Sequence, residues 1–124
     1  MPLQDEKVSR GIERRIADLK IRGGVCAMMA GVLENSYRAG QITLRPYMWR
    51  VGSLLASGEA RPNGEMIIAR EIDSLNVGAR TLDDLLNSIE HEAAHIAFKI
   101  DNDLTADRAE AYVRACRPNE PRTF

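Results

Sequence analysis

The first third of the chain carries two runs of apolar residues at helical spacing. The apolar positions are Val8, Ile12, Ile16 and Leu19 in the first run, and Val25, Met28, Met29, Val32 and Leu33 in the second. Recurrence every three or four residues predicts amphipathic helices, with both methionines filling the core. We expect the first helix to end near Gly23-Gly24 and the second before Gly40, because glycine often terminates helices.

After Gly40 the pattern becomes typical of strands. Residues 42–44 and 47–51 are rich in β-branched and aromatic side chains, and a proline separates them, which suits an edge or a bulge. Asn63-Gly64 is a turn signal, and residues 66–72 after it predict another strand. We therefore expect a hairpin between the segment before the turn and residues 66–72.

The last part of the chain predicts two further helices. After a loop at residues 73–80, Thr81 is suited to cap a helix that runs to about residue 99. Residues 101–103 (Asp-Asn-Asp) break it, a last helix covers roughly 104–116, and 117–124 form a loose tail. Two helices, a small antiparallel sheet and two helices give an α+β domain, and 124 residues suit one domain covering 1–124.

Charge and cysteine content narrow the class of protein. A formal net charge of -1 argues against a charge-driven nucleic-acid or membrane surface. No apolar run is long enough to span a bilayer, and the N-terminus lacks the basic start and apolar stretch of a secretory signal. Cys26 and Cys116 lie far apart, so we expect buried free thiols rather than a disulfide, and a cytoplasmic protein.

One motif carries candidate chemistry. Residues 91–95 read His-Glu-Ala-Ala-His inside the predicted helix, and these are the only histidines in the chain. Histidines four residues apart share a helical face, so both imidazoles can reach one ion. Glu92 can then act on water as a general base without binding the ion. His91 and His95 are the predicted ligands of Zn²⁺.

The helical phase favours this interpretation over that of ordinary core histidines. The apolar stripe that should face the core consists of Leu85, Leu86, Ile89, Ala93, Ile96 and Ile100. Both histidines lie on a largely opposite face together with Asp84 and Ser88, which argues against ordinary core histidines. Two solvated surface histidines are the alternative that this phase leaves open.

A catalytic zinc site needs a third protein ligand, and no histidine is left to provide it. The last helix offers Glu110, which borders its apolar stripe, and Asp107, which points further toward solvent. We predict Glu110 as the ligand, with Asp107 second and Cys116 a minor candidate. The oxyanion could be stabilised by Tyr112, our first choice, or by Arg114 or Tyr47.

The motif resembles that of the zincin metallopeptidase superfamily. Glu110-Ala111 is similar to the third-ligand segment of gluzincins of the ImmA/IrrE type from phages and bacteria. The strand–helix arrangement also resembles the SprT-like group, which usually has a third histidine that this chain lacks. The resemblance implies that residues 66–72, or their hairpin partner, form an edge to which an extended peptide substrate adds, unless 66–72 is an ordinary internal strand.

The predicted function is therefore peptide-bond hydrolysis with Zn²⁺ and Glu92 as general base, acting on a protein or peptide. A homodimer or another partner could complete the cleft of so small a domain. The alternative is a non-catalytic zincin-fold binding or regulatory protein, such as a phage or mobile-element protein acting on a host partner. Its contact surface would be the basic residues of the first helix, which are Arg10, Arg14, Arg15, Lys20 and Arg22.

Overall fold

The computed structural model describes residues 5–70, 81–100 and 106–117. Its elements are α1 (Glu6–Arg22), α2 (Gly24–Arg38), β1 (Ile42–Arg45), β2 (Trp49–Val51), β3 (Leu54–Ala56), β4 (Gly58–Ala60), β5 (Met66–Ala69), α3 (Leu82–Ala97) and α4 (Ala106–Ala115). The chain is α+β, in the predicted order of helices and strands. The predicted loop at 73–80, the break at 101–103 and the tail from 118 onward lie outside the described residues.

Helices α1 and α2 form as their apolar periodicity predicts. The Asp5 side chain accepts a hydrogen bond of 3.1 Å from the Val8 amide and so caps α1. Gly23, at φ 69°, lies between the two helices in a conformation that favours glycine. Met29 is fully buried as expected, but Met28 is 54% exposed, so the prediction that both methionines fill the core is wrong for Met28.

The three-stranded sheet is mixed, which corrects the predicted antiparallel sheet. Its order is β1-β5-β4, with β5 antiparallel to β4 and parallel to β1. The β4–β5 hairpin is confirmed, whereas β1 pairs across more than twenty intervening residues, and local alternation carries no information about the direction of such a pair. Strands β2 and β3 form a separate antiparallel pair.

Strand β5 is internal and β4 forms an edge of the described sheet. All four residues of β5 are buried, as expected of a strand covered on both faces. Of the two strands that the sequence offered as the edge, only the hairpin partner β4 lies at an edge of the described sheet.

Helix α3 occupies the centre of the domain. Thr81 caps it as predicted, accepting a hydrogen bond of 3.2 Å from the Asp84 amide. The helix contacts α1, α2, α4, β4 and β5. Its predicted apolar stripe is buried except for Ile96, which is partly buried. Because other elements contact α3 on several sides, the second half of the helix is also covered on the face opposite its apolar stripe.

A disulfide joins Cys26 of α2 to Cys116, directly after α4, with an S–S distance of 2.10 Å. The prediction of free thiols is wrong. The two cysteines are 90 residues apart in sequence, and only the packing of the terminal helix near α2 brings them together. The cytoplasmic expectation rested in part on free thiols, so it loses that support. Among the described residues, no helix has the length and apolar character needed to cross a membrane.

Candidate metal centre

The two histidines of α3 converge on one point. The Nε2 atoms of His91 and His95 are 3.1 Å apart, and the ring planes are inclined at 67°. Two nitrogen ligands of a tetrahedral zinc ion lie about 3.3 Å apart, given Zn–N bonds of about 2.0–2.1 Å. The pair therefore has nearly the separation that a shared zinc ion requires. His95 is only 5% exposed, so the prediction that it lies on a face away from the interior is wrong for this residue.

Both outer nitrogens face acceptors. His95 Nδ1–H donates to the Ile100 carbonyl at 3.0 Å, and His91 Nδ1–H donates to Glu110 Oε2 at 3.2 Å. With both protons on Nδ1, each Nε2 presents a lone pair toward the other. Two lone pairs at this distance repel unless a proton or a metal ion lies between them, and metal-binding histidines commonly donate their second nitrogen to such acceptors. A shared proton, which makes this contact an N–H···N hydrogen bond, or a shared metal ion accounts for the 3.1 Å distance, so the two imidazoles could supply two of the ligands of Zn²⁺.

The contact between His95 and the Ile100 carbonyl depends on how α3 ends. Lys99 is the only non-glycine residue of the described chain with positive φ, at 53°. This left-handed residue turns the backbone so that the Ile100 amide donates to the His95 carbonyl at 3.0 Å. The same turn brings the Ile100 carbonyl to the His95 ring, so the end of the helix orients the His95 imidazole.

Glu92 is buried beside strand β4. Glu92 is only 5% exposed. A Cβ atom built on Gly58 would lie 2.6 Å from Glu92 Oε2, so the carboxylate lies directly against this glycine. Burial raises the pKa of Glu92 to about 7, with Glu59 adding to the rise and His91 opposing it. A carboxyl group whose pKa is near neutrality can both accept and return a proton at physiological pH.

Glu110 reaches His91, but not at the nitrogen where a shared ion would bind. Its other oxygen, Oε1, accepts a hydrogen bond of 3.3 Å from Arg117 and lies 3.6 Å from Arg114. The hydrogen bond from His91 is the main cause that lowers the pKa of Glu110, and both arginines contribute. Burial lowers the pKa of His91, but the Glu110 hydrogen bond and the charges of Glu92 and Glu110 outweigh it and raise the pKa. The role of Glu110 as a third metal ligand stays a prediction.

The structure places the other candidates as follows. Cys116 is in the disulfide and cannot be a thiolate ligand, which removes that candidate. The side chain of Asp107 lies outside the described residues. The Tyr112 ring stacks on Phe98, with 3.9 Å between ring centroids, and Tyr47 is 63% exposed. Within residues 5–70, 81–100 and 106–117, no cluster of three potential metal ligands is found.

Sequence reasoning missed a buried ion pair next to the motif. Glu90 is 2% exposed, and its Oε1 accepts a hydrogen bond of 2.8 Å from Arg15 of α1. Burial raises the pKa of Glu90, although Arg15 opposes this. The helical phase could have revealed it, because Glu90 lies one turn after Leu86 of the apolar stripe.

The same ion pair weakens the predicted basic contact surface of α1. Arg15 is directed into the domain, and three other basic residues of that surface form ion pairs within the chain. These pairs are Arg10–Glu6, Lys20–Glu34 and Arg22–Asp18. Internal pairing leaves little unbalanced positive charge on α1 for an acidic partner.

Comparison with protein-family models, with curated proteins and with solved structures gives no match for this chain.

Proposed function

We propose that this protein is a zinc-dependent peptidase. The observation that carries the proposal is the 3.1 Å separation of the two Nε2 atoms, with both Nδ1 atoms directed at acceptors. The acceptors at both Nδ1 atoms leave the two Nε2 atoms available to a shared ion or a shared proton. Glu92, between the two histidines in sequence and buried beside β4, supplies a general base for the hydrolysis of a peptide bond.

Each residue then has a defined task. A bound zinc ion would polarise the scissile carbonyl and make a water molecule more acidic. Glu92 takes a proton from the attacking water and passes it to the leaving amine. The Ile100 carbonyl and Glu110 keep the histidines in the tautomer with a free Nε2. Tyr112 stays the first candidate for stabilising the oxyanion.

The edge strand β4 offers a place for an extended substrate. In the hairpin the Ser57 carbonyl accepts from the Ala69 amide and the Arg61 amide donates to the Glu65 carbonyl, each at 2.9 Å. Hydrogen-bonded pairs alternate along antiparallel strands, so the amide and carbonyl of Gly58 point away from β5. A peptide that pairs with Gly58 would pass next to Glu92, which lies against the same residue.

The first test is metal content. Protein purified without a histidine tag is analysed for bound zinc as wild type, His91→Ala and Glu92→Gln, with Glu13→Gln on the exposed face of α1 as control. We expect about one zinc ion per wild-type chain. His91→Ala should lose it, and both glutamine variants should keep it. A wild type that takes up no zinc after loading would end the proposal.

The role of Glu110 is tested by measuring the affinity for zinc rather than the zinc content alone. If Glu110 orients His91, Glu110→Gln should weaken zinc binding by about 10- to 100-fold while retaining the stoichiometry. If it is the third ligand, the variant should lose zinc under conditions where the wild type is saturated. Competition with a chelator of known affinity separates these two results. The present geometry favours the orienting role.

The second candidate function is a zincin-fold binding or regulatory protein without turnover. The described residues bring together two imidazoles but no third ligand, and this observation favours an incomplete site. Glu92→Gln distinguishes the two functions. A peptidase loses hydrolysis of peptides in this variant, whereas a binding protein keeps the affinity for its partner.

A further inference from the structure

A cavity of about 490 Å³ adjoins the histidine pair, between the end of β4 and the last turn of α3. Its described lining consists of Ala60, Arg61, Pro62, His95, Ile96, Lys99 and Ile100. This volume is within the range of about 300–1,000 Å³ that is typical of ligand pockets. Because Ala60 and His95 both line it, the cavity lies next to the proposed substrate strand β4 and to the proposed metal centre.

The walls of this cavity are mainly apolar. Ile96, Ile100 and Pro62 supply aliphatic surface, and Ala60 leaves space at the β4 side. Removing a large apolar side chain from water against such walls is favourable, whereas a small polar side chain would gain little. The cavity therefore suits a leucine, methionine or phenylalanine side chain.

The charge at the cavity is positive on one side. Two lining residues are basic, and none of the described lining residues is acidic. Arg61 is neutralised by Glu59 and Glu65, at 2.8 and 2.7 Å. Lys99 is exposed, and in the part of the chain that the structure describes it makes no ion pair. Among the described lining residues, its ammonium group is therefore the cation that no described carboxylate neutralises.

We infer that this cavity selects peptide substrates in which a large apolar residue is next to an aspartate or glutamate. The apolar side chain enters between Ile96, Ile100 and Pro62, and the neighbouring carboxylate pairs with Lys99. This inference rests on the proposed peptidase function and adds the class of substrate to it.

The test is a cleavage profile. Zinc-loaded wild type and variants digest a mixture of peptides prepared from a denatured proteome, and mass spectrometry identifies the new termini. Lys99→Met removes the charge and Lys99→Glu reverses it, while Lys7→Glu makes the same reversal on the exposed face of α1. Zinc content is measured for each variant, because Lys99 also forms the turn that orients His95.

We expect acidic residues next to a large apolar residue at about fivefold their background frequency, which corresponds to about 1 kcal/mol for one exposed ion pair. Lys99→Met should lose this enrichment, Lys99→Glu should replace it with enrichment of basic residues, and Lys7→Glu should keep it. Cleavage with a flat profile, or a Lys99→Glu profile equal to that of the wild type, overturns this inference alone. No cleavage by zinc-loaded wild type overturns the peptidase function, and this inference with it.

Discussion

The buried ion pair between Arg15 and Glu90 gives a prediction of stability that is independent of function. Arg15 Nη1 lies 2.8 Å from Glu90 Oε1 and also donates to Asn87 Oδ1 at 2.9 Å. The Glu90 side chain is 3% exposed and that of Arg15 23%. Replacing Arg15 with methionine keeps much of the aliphatic stem and removes the charge, which leaves Glu90 buried with its principal partner gone.

The size of the effect follows from these distances. At 2.8 Å the attraction amounts to about 6 kcal/mol with an effective dielectric constant of ~20. Two features reduce the observed loss: Glu90 can take up a proton, and the positive charge of Arg117 also acts on it. We therefore expect Arg15→Met to lower the free energy of unfolding by about 3 kcal/mol, the lower end for a broken buried pair.

The assay is urea denaturation of four proteins, followed by circular dichroism. Beside wild type and Arg15→Met, the double variant Arg15→Met/Glu90→Met removes both charges and should recover to within about 1 kcal/mol of wild type. Arg10→Met is the matched control, because its ion pair with Glu6 is exposed on the same helix and contributes about 0.5 kcal/mol or less. The reasoning is refuted if Arg15→Met and Arg10→Met are equally stable, or if the double variant stays as unstable as the single one.

Three further predictions concern other parts of the chain. Reduction of the disulfide, or the double variant Cys26→Ser/Cys116→Ser, should lower the free energy of unfolding by about 4 kcal/mol, since it opens a loop that spans 90 residues. Gly58→Ala should lower peptidase activity at least tenfold with a stability change below about 1 kcal/mol, because the new Cβ displaces the Glu92 carboxylate rather than backbone. Asp5→Asn should cost about 1 kcal/mol at pH 7, and this difference should shrink as the pH falls below 3.8 through the lowered pKa of Asp5, because the carboxylate stabilises the fold only while it is ionised.

Each of these predictions has an outcome that contradicts it. Two titratable thiols in the unreduced, unfolded protein would show that the disulfide is absent. For Gly58→Ala, the control is Gly31→Ala, whose added Cβ meets nothing within 4 Å, and equal activity of the two variants would show that Glu92 tolerates a side chain at position 58. For Asp5, a difference from wild type that does not shrink as the pH falls below 3.8 would exclude the ionised hydrogen bond with Arg70 as its source.

Local patterns predicted most of the helical structure. The apolar stripes of α1 and α3 are buried almost as the 3.6-residue period requires, and Thr81 caps α3 as predicted. The turn at Asn63-Gly64 joins β4 and β5, as that dipeptide predicts. These features depend on residues within one or two turns of each other, so the information lies within a short window of sequence.

Contacts between distant segments were the source of the errors. The parallel pairing of β1 with β5, the Cys26–Cys116 disulfide and the burial of His95 all depend on the path of the chain between elements. The contact of Glu110 also depends on that path. The helical phase placed Glu110 near the histidines, but it could not predict whether the carboxylate would contact Nδ1 or Nε2 of the imidazole.

By itself the sequence determined that a helix forms at α3 and that His91, Glu92 and His95 all lie on it. Helical periodicity fixes the relative positions of residues four apart, so the two histidines share one face. Only the tertiary structure decided how those side chains are held: the Ile100 carbonyl on one histidine, Glu110 on the other, and Gly58 against Glu92. Side-chain orientation is set by neighbours from β4, α4 and the left-handed turn at Lys99. Such neighbours meet only when the whole domain has folded, and therefore no short window of sequence specifies them.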